Sequence, residues 1–275
     1  MTWKDVSSNF DDNYPFSPSA LKTYMRCPKQ FEFSYIKGIK KKPNFKMVFG
    51  SSIHKGVEVN YKHKFLKKKD LKVEDVQQAF SEDIKKRVVE EDVDMTDQDL
   101  GRTIDEGVII LSKYQKDVAP NVQPILEPEI ELIGTVPGVT RKLRGFIDLV
   151  ANVRLFGMNL KSVLRDTKTT ARMYTQEQTD TDVQLTVYAY LLNKVKQIAI
   201  KRVQFDVIVR KKNPECNTIS SDRKPEHFKR MEEQIRGIEK GIQAGIFYPV
   251  DNHQTCAWCG YADMCHTGRA WSTPK

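Results

Sequence analysis

The chain has 275 residues and a formal charge of +9, from 45 Lys and Arg against 36 Asp and Glu. That length builds one large domain or two small ones with a proper hydrophobic core. Hydrophobic residues are 39% and charged residues 29%, which excludes a disordered chain, and no apolar run approaches the ~18 residues that cross a membrane. Met1-Thr2-Trp3-Lys4-Asp5 holds no apolar stretch, so no secretory signal is expected and the expected compartment is the cytoplasm. Five cysteines do not make a disulfide framework in a chain this long. The positive charge suits a polyanionic partner such as nucleic acid, although a solubility bias explains it equally well. Basic residues cluster at 37–46 and 62–69, with Tyr35, Phe45, Tyr61 and Phe65 interleaved, a mix able to track a phosphate backbone and stack bases.

The first fifteen or so residues read as a loose arm. Ser17-Pro18 then opens a helix, with a capping hydroxyl and a proline at the first helical position. Leu21, Tyr24, Phe31 and Tyr35 recur at helical spacing, interrupted at Pro28. Further helices are expected over 51–66, 73–89 and 97–118, the last with an apolar face of Ile104, Val108, Ile109 and Leu111. The texture then changes to strands over 124–133, 141–150 and 158–169. A helix over 176–196, a strand over 198–210 and a helix over 225–244 follow, and a compact knot spans Cys256 to Cys265. The pattern is an α/β domain with a helical front half.

Three features converge in the middle. Asp148 sits in the otherwise apolar Gly145-Phe146-Ile147-Asp148-Leu149-Val150, where a carboxylate is costly unless paired or bound to metal. Asp166 and Lys168 are two apart in a strand and share a face. Gln184 and Tyr188 are four apart and share a helix face. Two aspartates on adjacent strands gather hard oxygen ligands of the kind magnesium or manganese prefers. Taken alone, an Asp-x-Lys triplet is commonly a solvated ion pair at a strand edge, and a lone histidine such as His54 is commonly structural.

In their order these residues resemble the PD-(D/E)XK nuclease superfamily, in its RecB-like branch. Gly145-Phe146-Ile147-Asp148-Leu149 looks like the first motif, with Ile147 where the family name has proline. Asp166-Thr167-Lys168 matches (D/E)-x-K, Gln184-x-x-x-Tyr188 matches the helical Gln-x-x-x-Tyr motif, and Gly50-Ser51-Ser52-Ile53-His54 matches Gly-x-x-x-His. The resemblance implies a restriction-endonuclease-like α/β core, a mixed central sheet flanked by helices. It implies that Asp148, Asp166, the main-chain carbonyl of Thr167 and His54 hold Mg²⁺ or Mn²⁺. Lys168 would position or activate water, and Gln184 and Tyr188 would support the site or touch the DNA backbone. Glu127, Glu129 and Glu131 precede the site on one strand; they read as exposed strand carboxylates, with an extra acid near the metal as the alternative for one of them.

Cys256-x2-Cys259-x5-Cys265 is a close trio, with Cys27 far upstream in Cys27-Pro28-x-x-Phe31. Four thiolates suit either zinc or an iron–sulfur cluster. His253 and His266 flank the trio and read as surface residues, and Cys216 reads as a plain loop or strand-end cysteine. The lone Cys-Pro, the later trio and Gly245-Ile246-Phe247-Tyr248-Pro249 before it resemble the iron–sulfur staple of AddB-type nucleases and CRISPR-associated RecB-like exonucleases. That resemblance implies a structural [4Fe–4S] cluster on Cys27, Cys256, Cys259 and Cys265, joining the C-terminal knot to the N-terminal region.

The expected organisation is an arm over 1–16, a helical region over 17–120, a nuclease core over 121–250 and a cysteine segment over 251–275, with 17–265 one structural unit. No Gly-x-x-x-x-Gly-Lys-Ser/Thr loop is present in the sequence, so a stand-alone nuclease rather than a fused motor is expected. The leading reading is a metal-dependent DNA exonuclease acting on single strands or duplex ends. Recombination, repair, phage DNA processing and CRISPR adaptation are the settings it suits, in a bacterial, archaeal or phage-infected cell. A non-catalytic DNA-binding subunit on the same fold is the alternative, and a zinc-stabilised interaction protein a third. A protein partner from those pathways and a homo-oligomer both stay open, and no membrane partner is expected.

Overall fold

The computed structural model describes residues 14–41, 43–93, 95, 99–122, 124–153, 161–257 and 259–267. The chain divides into two compact units, one of residues 1–41, 133–145 and 225–275, the other of residues 42–132 and 146–224. Residues 1–13 of the arm expected over 1–16, the start of the strand expected from 158 and residues 97 and 268–275 lie outside the described residues.

In the first unit, α1 (Pro18–Arg26) starts where Ser17 Oγ accepts the Ala20 N–H at 3.2 Å. It ends at Cys27 because Pro28 has no N–H to continue the ladder. The short α2 (Pro28–Phe31) runs into one π-helical turn, Glu32–Ile36. Phe16, in the span expected to be loose, is fully buried and exchanges backbone hydrogen bonds with Lys142 and Arg144. The buried Glu239 carboxylate, on α8 (Pro225–Gln243), accepts the N–H groups of Thr140 and Arg141 at 2.8–3.0 Å. Gly245, at φ +67°, closes α8 with paired reversed bonds, Ile246 N–H to Gly241 and Gly245 N–H to Ile242. Two short helices follow, α9 (His253–Cys256) and α10 (Ala262–Thr267).

The second unit packs three helices on a sheet. They are α3 (Phe45–Lys67), α4 (Val73–Glu90) and α5 (Leu100–Asp117). Their apolar faces meet through Phe49, Ile53, Phe80, Ile84, Ile110 and Leu111. Gly107 lets α5 approach closely, since a Cβ there would lie 2.1 Å from the Phe80 ring. The sheet order is β1-β2-β3-β4-β5, from β1 (Ile125–Gly134), β2 (Leu143–Val153), β3 (Lys161–Thr170), β4 (Arg202–Val209) and β5 (Glu215–Asp222). β2 and β3 are antiparallel, β3 and β4 parallel, and β4 and β5 antiparallel. A parallel pair needs a crossover, and α6 (Gln176–Asp180) with α7 (Val183–Val195) supplies it. This is the expected mixed sheet flanked by helices.

Three differences from the sequence reading have physical causes. The helix expected over 176–196 is two helices, because Asp182 caps the second by accepting the Leu185 N–H at 2.8 Å. β5 was not expected: Glu215-Cys216-Asn217-Thr218 carries no apolar alternation, and an edge strand exposed on one side needs none. Phe45 and Tyr61, expected among base-stacking aromatics, are 7% and 3% exposed and belong to the core. Phe65 packs partly against that core, and Tyr35 stacks on Phe31 at 4.8 Å.

On the face of β3 opposite Asp166, Arg165 forms a buried two-pronged pair with Asp206 of β4, at 2.6 and 2.9 Å. Thr218 Oγ1 donates to Asp206 Oδ1 at 2.7 Å, and the Tyr61 and Tyr114 hydroxyls meet beside it at 2.7 Å. Removing one partner strands a charge in the interior. Asp206→Ala is therefore expected to cost about 3–5 kcal/mol in urea unfolding, and the double change Arg165→Met with Asp206→Leu to cost less than either single change.

Candidate active site

β2 alternates, with Ile147 and Leu149 in the core and Asp148 on the other face. The pairing of β2 with β3 sets Leu149 opposite Arg165. Just beyond that pair Asp148 and Asp166 lie close enough to act on one another's charge. Thr167 joins the two strands here through its N–H, which donates to Asp148 Oδ2 at 2.8 Å. From α3, His54 Nε2 reaches the same oxygen at 2.9 Å. Lys168 Nζ lies 2.6 Å from Asp166 Oδ2. From α7, Gln184 Nε2 donates to Asp166 Oδ1 at 2.7 Å and to the Tyr188 hydroxyl at 3.1 Å. Seven residues scattered from 54 to 188 are thus gathered at one place in the second unit.

The electrostatics of that place are unbalanced. Burial and the neighbouring Asp148 lift the Asp166 carboxyl to about 7, against the pull of Lys168. Burial works the same way on Asp148, but His54, Lys168 and the Thr167 N–H outweigh it and hold Asp148 below the usual carboxylate range. Burial disfavours the His54 cation, yet Asp148, with Glu129 and Asp166, raises it to about 9. Burial likewise opposes the Lys168 cation, and Asp166 and Asp148 win, raising its pKa. Asp166 Oδ2 is buried, with the Lys168 ammonium its close neighbour at 2.6 Å. Clustered carboxylate oxygens and an imidazole are a donor set that fits a divalent cation.

Of the three glutamates on β1, Glu129 is the one near this set. Its ligand atom lies within 4.8 Å of those of His54 and Glu58. Burial first, then Asp148, raises it to about 7, against the pull of His54. Glu129 takes φ +53° within its strand. Glu127 instead pairs with Lys196 at 2.6 Å, and Glu131 is exposed. Glu58 was missed by the sequence reading, although its place four residues after His54 on α3 puts both on one helix face.

In the first unit, Cys27, Cys256, Cys259 and Cys265 line a single cavity, and none forms a disulfide. Burial and the nearby Cys27, Asp251 and Cys259 raise the Cys265 thiol. Four thiols lining one cavity are a candidate ligand set for a metal or cluster. His253 and His266 are exposed, as expected, but a His266 nitrogen lies within 4.8 Å of ligand atoms of Asp251 and Cys256. Cys216 lies apart on β5, paired with Ile208 of β4.

The PD-(D/E)XK nuclease superfamily model matches residues 15–266. A crystal structure from Eubacterium rectale, described as a "putative exonuclease", aligns over 100% of this chain and 96% of its own, at 11% identity and a TM-score of 0.59. That likeness is one of fold. The structure of SSO0001 covers 92% of this chain and 96% of its own, at 15% identity and a TM-score of 0.34. No curated protein sequence matches the chain.

Cys216 offers a test of the cysteine assignments. Burial, then Asp117, pushes its thiol up to about 12. The thiolate is the reactive form, so at pH 8 Cys216 is expected to alkylate with iodoacetamide far more slowly than free glutathione. Peptide mass mapping over time reads this directly.

Proposed function

The chain belongs to the PD-(D/E)XK nuclease superfamily, and we propose that it is a metal-dependent deoxyribonuclease working from DNA ends. The observation that supports this reading most is the pairing of His54 with Asp148, at 2.9 Å, and of Lys168 with the buried Asp166, at 2.6 Å, in one cluster of mutually interacting charges. Among the described residues, no helix is long and apolar enough to cross a membrane.

In this reading Asp148, Asp166 and His54 hold Mg²⁺ or Mn²⁺, with the Thr167 carbonyl as a further ligand. The ion supplies positive charge at the phosphodiester and makes water a better nucleophile. The protein's own groups do the positioning. Lys168 keeps its charge beside two carboxylates, so its ammonium can orient the attacking water and offset charge on the pentavalent phosphate. Gln184 fixes the rotamer of Asp166 from one side and the Tyr188 hydroxyl from the other. Phosphoryl transfer relies on such placement more than on covalent chemistry. Exonuclease action on single strands or duplex ends is the mode we favour, in recombination, repair, phage DNA processing or CRISPR adaptation.

The four cysteines would hold a structural [4Fe–4S] cluster. Their shared cavity and crowded thiols support an inorganic centre there. A bound cluster would tie the chain near Cys27 to the segment from Cys256 onward, and its binding energy would add to the stability of the fold. The ligand-distance set of Asp251, Cys256 and His266 favours zinc as the second reading.

Two experiments test these assignments. The first follows end-labelled single strands, linear duplex and closed circles with Mn²⁺, Mg²⁺ or EDTA. Cleavage of linear DNA is expected with either metal and none with EDTA. Lys168→Ala and Asp166→Ala are expected to lose ~10²–10³-fold or more in rate with the fold intact. Cleavage that survives both substitutions rejects the site, and cleavage of circles makes the enzyme an endonuclease. The second is metal analysis of protein purified without oxygen. Brown protein carrying iron that is lost in Cys27→Ser is expected, and a colourless zinc protein overturns the cluster.

A further inference from the structure

We propose that Lys41 is the counter-charge of the four-cysteine centre, its ammonium held beside Cys259 to offset the negative charge of metal-bound thiolates. This rests on the reading of those cysteines as a metal or cluster site, and it adds a positioning residue from outside the ligand set.

Lys41 is half-buried, and its side chain lies along the turn that carries Cys259. Its Nζ sits 3.6 Å from the centre of the Tyr261 ring. Gly260 leaves the room for it, since a Cβ there would lie 2.7 Å from Nζ and 2.9 Å from Cδ. The backbone just before Lys41 is tied down on both sides. The Ile39 N–H donates to the Phe33 carbonyl at 2.9 Å, and the Ile39 carbonyl accepts the Tyr261 hydroxyl at 2.8 Å. Tyr261 is 5% exposed and packs against Phe33, with ring centres 5.6 Å apart. One tyrosine thus fixes both the approach of the lysine and the face on which its ammonium rests.

What distinguishes Lys41 is its lack of an acidic partner. Lys29, which lines the cysteine cavity, and Lys37 both reach Glu32, at 2.6 and 3.0 Å. Among the described residues, no carboxylate lies at ion-pair distance from Lys41. Burial lowers its pKa, the nearby Cys259 works against that, and Arg26 adds to the lowering. The face of Tyr261 attracts a cation but carries no net charge. A half-buried ammonium stays costly until an anion stands beside it. Cysteines bind metal as thiolates, so a four-thiolate zinc site or [4Fe–4S] centre is an anion of the kind this ammonium lacks. Net charge around such a cluster is also one of the levers on its reduction potential.

The test compares the wild-type chain, Lys41→Arg and Lys41→Met, all purified without oxygen and analysed for iron and zinc. If the wild-type chain holds iron, the readout is the midpoint of one-electron reduction, followed by electron paramagnetic resonance during titration with dithionite. Losing the cation disfavours the more negative reduced cluster. Lys41→Met is therefore expected to shift the equilibrium ~10-fold toward the oxidised form, a midpoint lower by ~59 mV, and Lys41→Arg to stay near wild type. An unchanged midpoint in Lys41→Met overturns the proposal. If the wild-type chain holds zinc, the cluster reading fails and the counter-charge is decided separately, by competition with a chromogenic chelator. There, ~10-fold weaker zinc retention in Lys41→Met alone supports it, and equal retention in all three overturns it. Metal lost from Lys41→Met but kept by Lys41→Arg supports the role of charge. Metal lost from both makes Lys41 a packing residue and overturns the proposal. A wild-type chain that binds neither metal overturns this proposal together with the reading it rests on.

Discussion

Two carboxylates placed on neighbouring strands repel one another, and the second unit is arranged around that repulsion. Asp148 and Asp166 stand side by side at the edge of the core, where water screens them poorly. The fold answers with an imidazole on one, an ammonium on the other, and N–H donors from Thr167 and Gln184. The answer is incomplete, since burial and Asp148 still hold the Asp166 carboxyl up to about 7 against the pull of Lys168. A fold selected for stability alone would replace such a pair with apolar side chains. Its presence in a buried place suits chemistry better than stability, which is the basis of the proposed site, and the superfamily match over residues 15–266 agrees with that reading.

The opposite face of β3 shows what a fully satisfied interior charge looks like. Arg165 and Asp206 make two parallel bonds and engage Gln204 and Thr218 besides. The two faces of one strand thus carry the two uses of buried charge. On one face the charges are closed among themselves, and on the other a bond is left to be made. Residue 165 serves architecture and residue 166 serves the site, although they are adjacent in the chain.

Much of this was legible in the sequence because strand and helix periods are local. Asp148 in an apolar run, Asp166 with Lys168 at a spacing of two, and Gln184 with Tyr188 at a spacing of four all report a face directly. His54 was legible only through its company, because nothing near residue 54 says that α3 packs against β2 and β3. Glu58 was not picked out and Glu129 was not separated from Glu127 and Glu131, since a glutamate on a helix or strand surface is the ordinary case and only tertiary approach makes these two different. β5 was invisible for the opposite reason: its partner β4 supplies the hydrogen bonds, and its own polar side chains carry no pattern. The interleaved aromatics misled because Phe45 and Tyr61 obey the helix period, and their buried face outranks their basic neighbours. The helix expected over 176–196 ran past Asp182, where a capping side chain won over periodicity.

The order in which the two units are encoded bears on how the chain is made. One unit is finished at residue 224, whereas the other draws on the first forty-one residues and on everything after 225. During synthesis from the N-terminus, the unit with the carboxylates can collapse while the ribosome still holds the last fifty residues. Helix α1 and Cys27, translated early, must wait for α8 and the later cysteines before they have anything to pack on. Their contacts span more than two hundred residues of sequence, the kind that forms last because closing so long a loop costs the most entropy. The nascent protein therefore passes through a stage with its nuclease motifs assembled and its N-terminal helix unpartnered. A chain stopped short of Pro225 would remain at that stage.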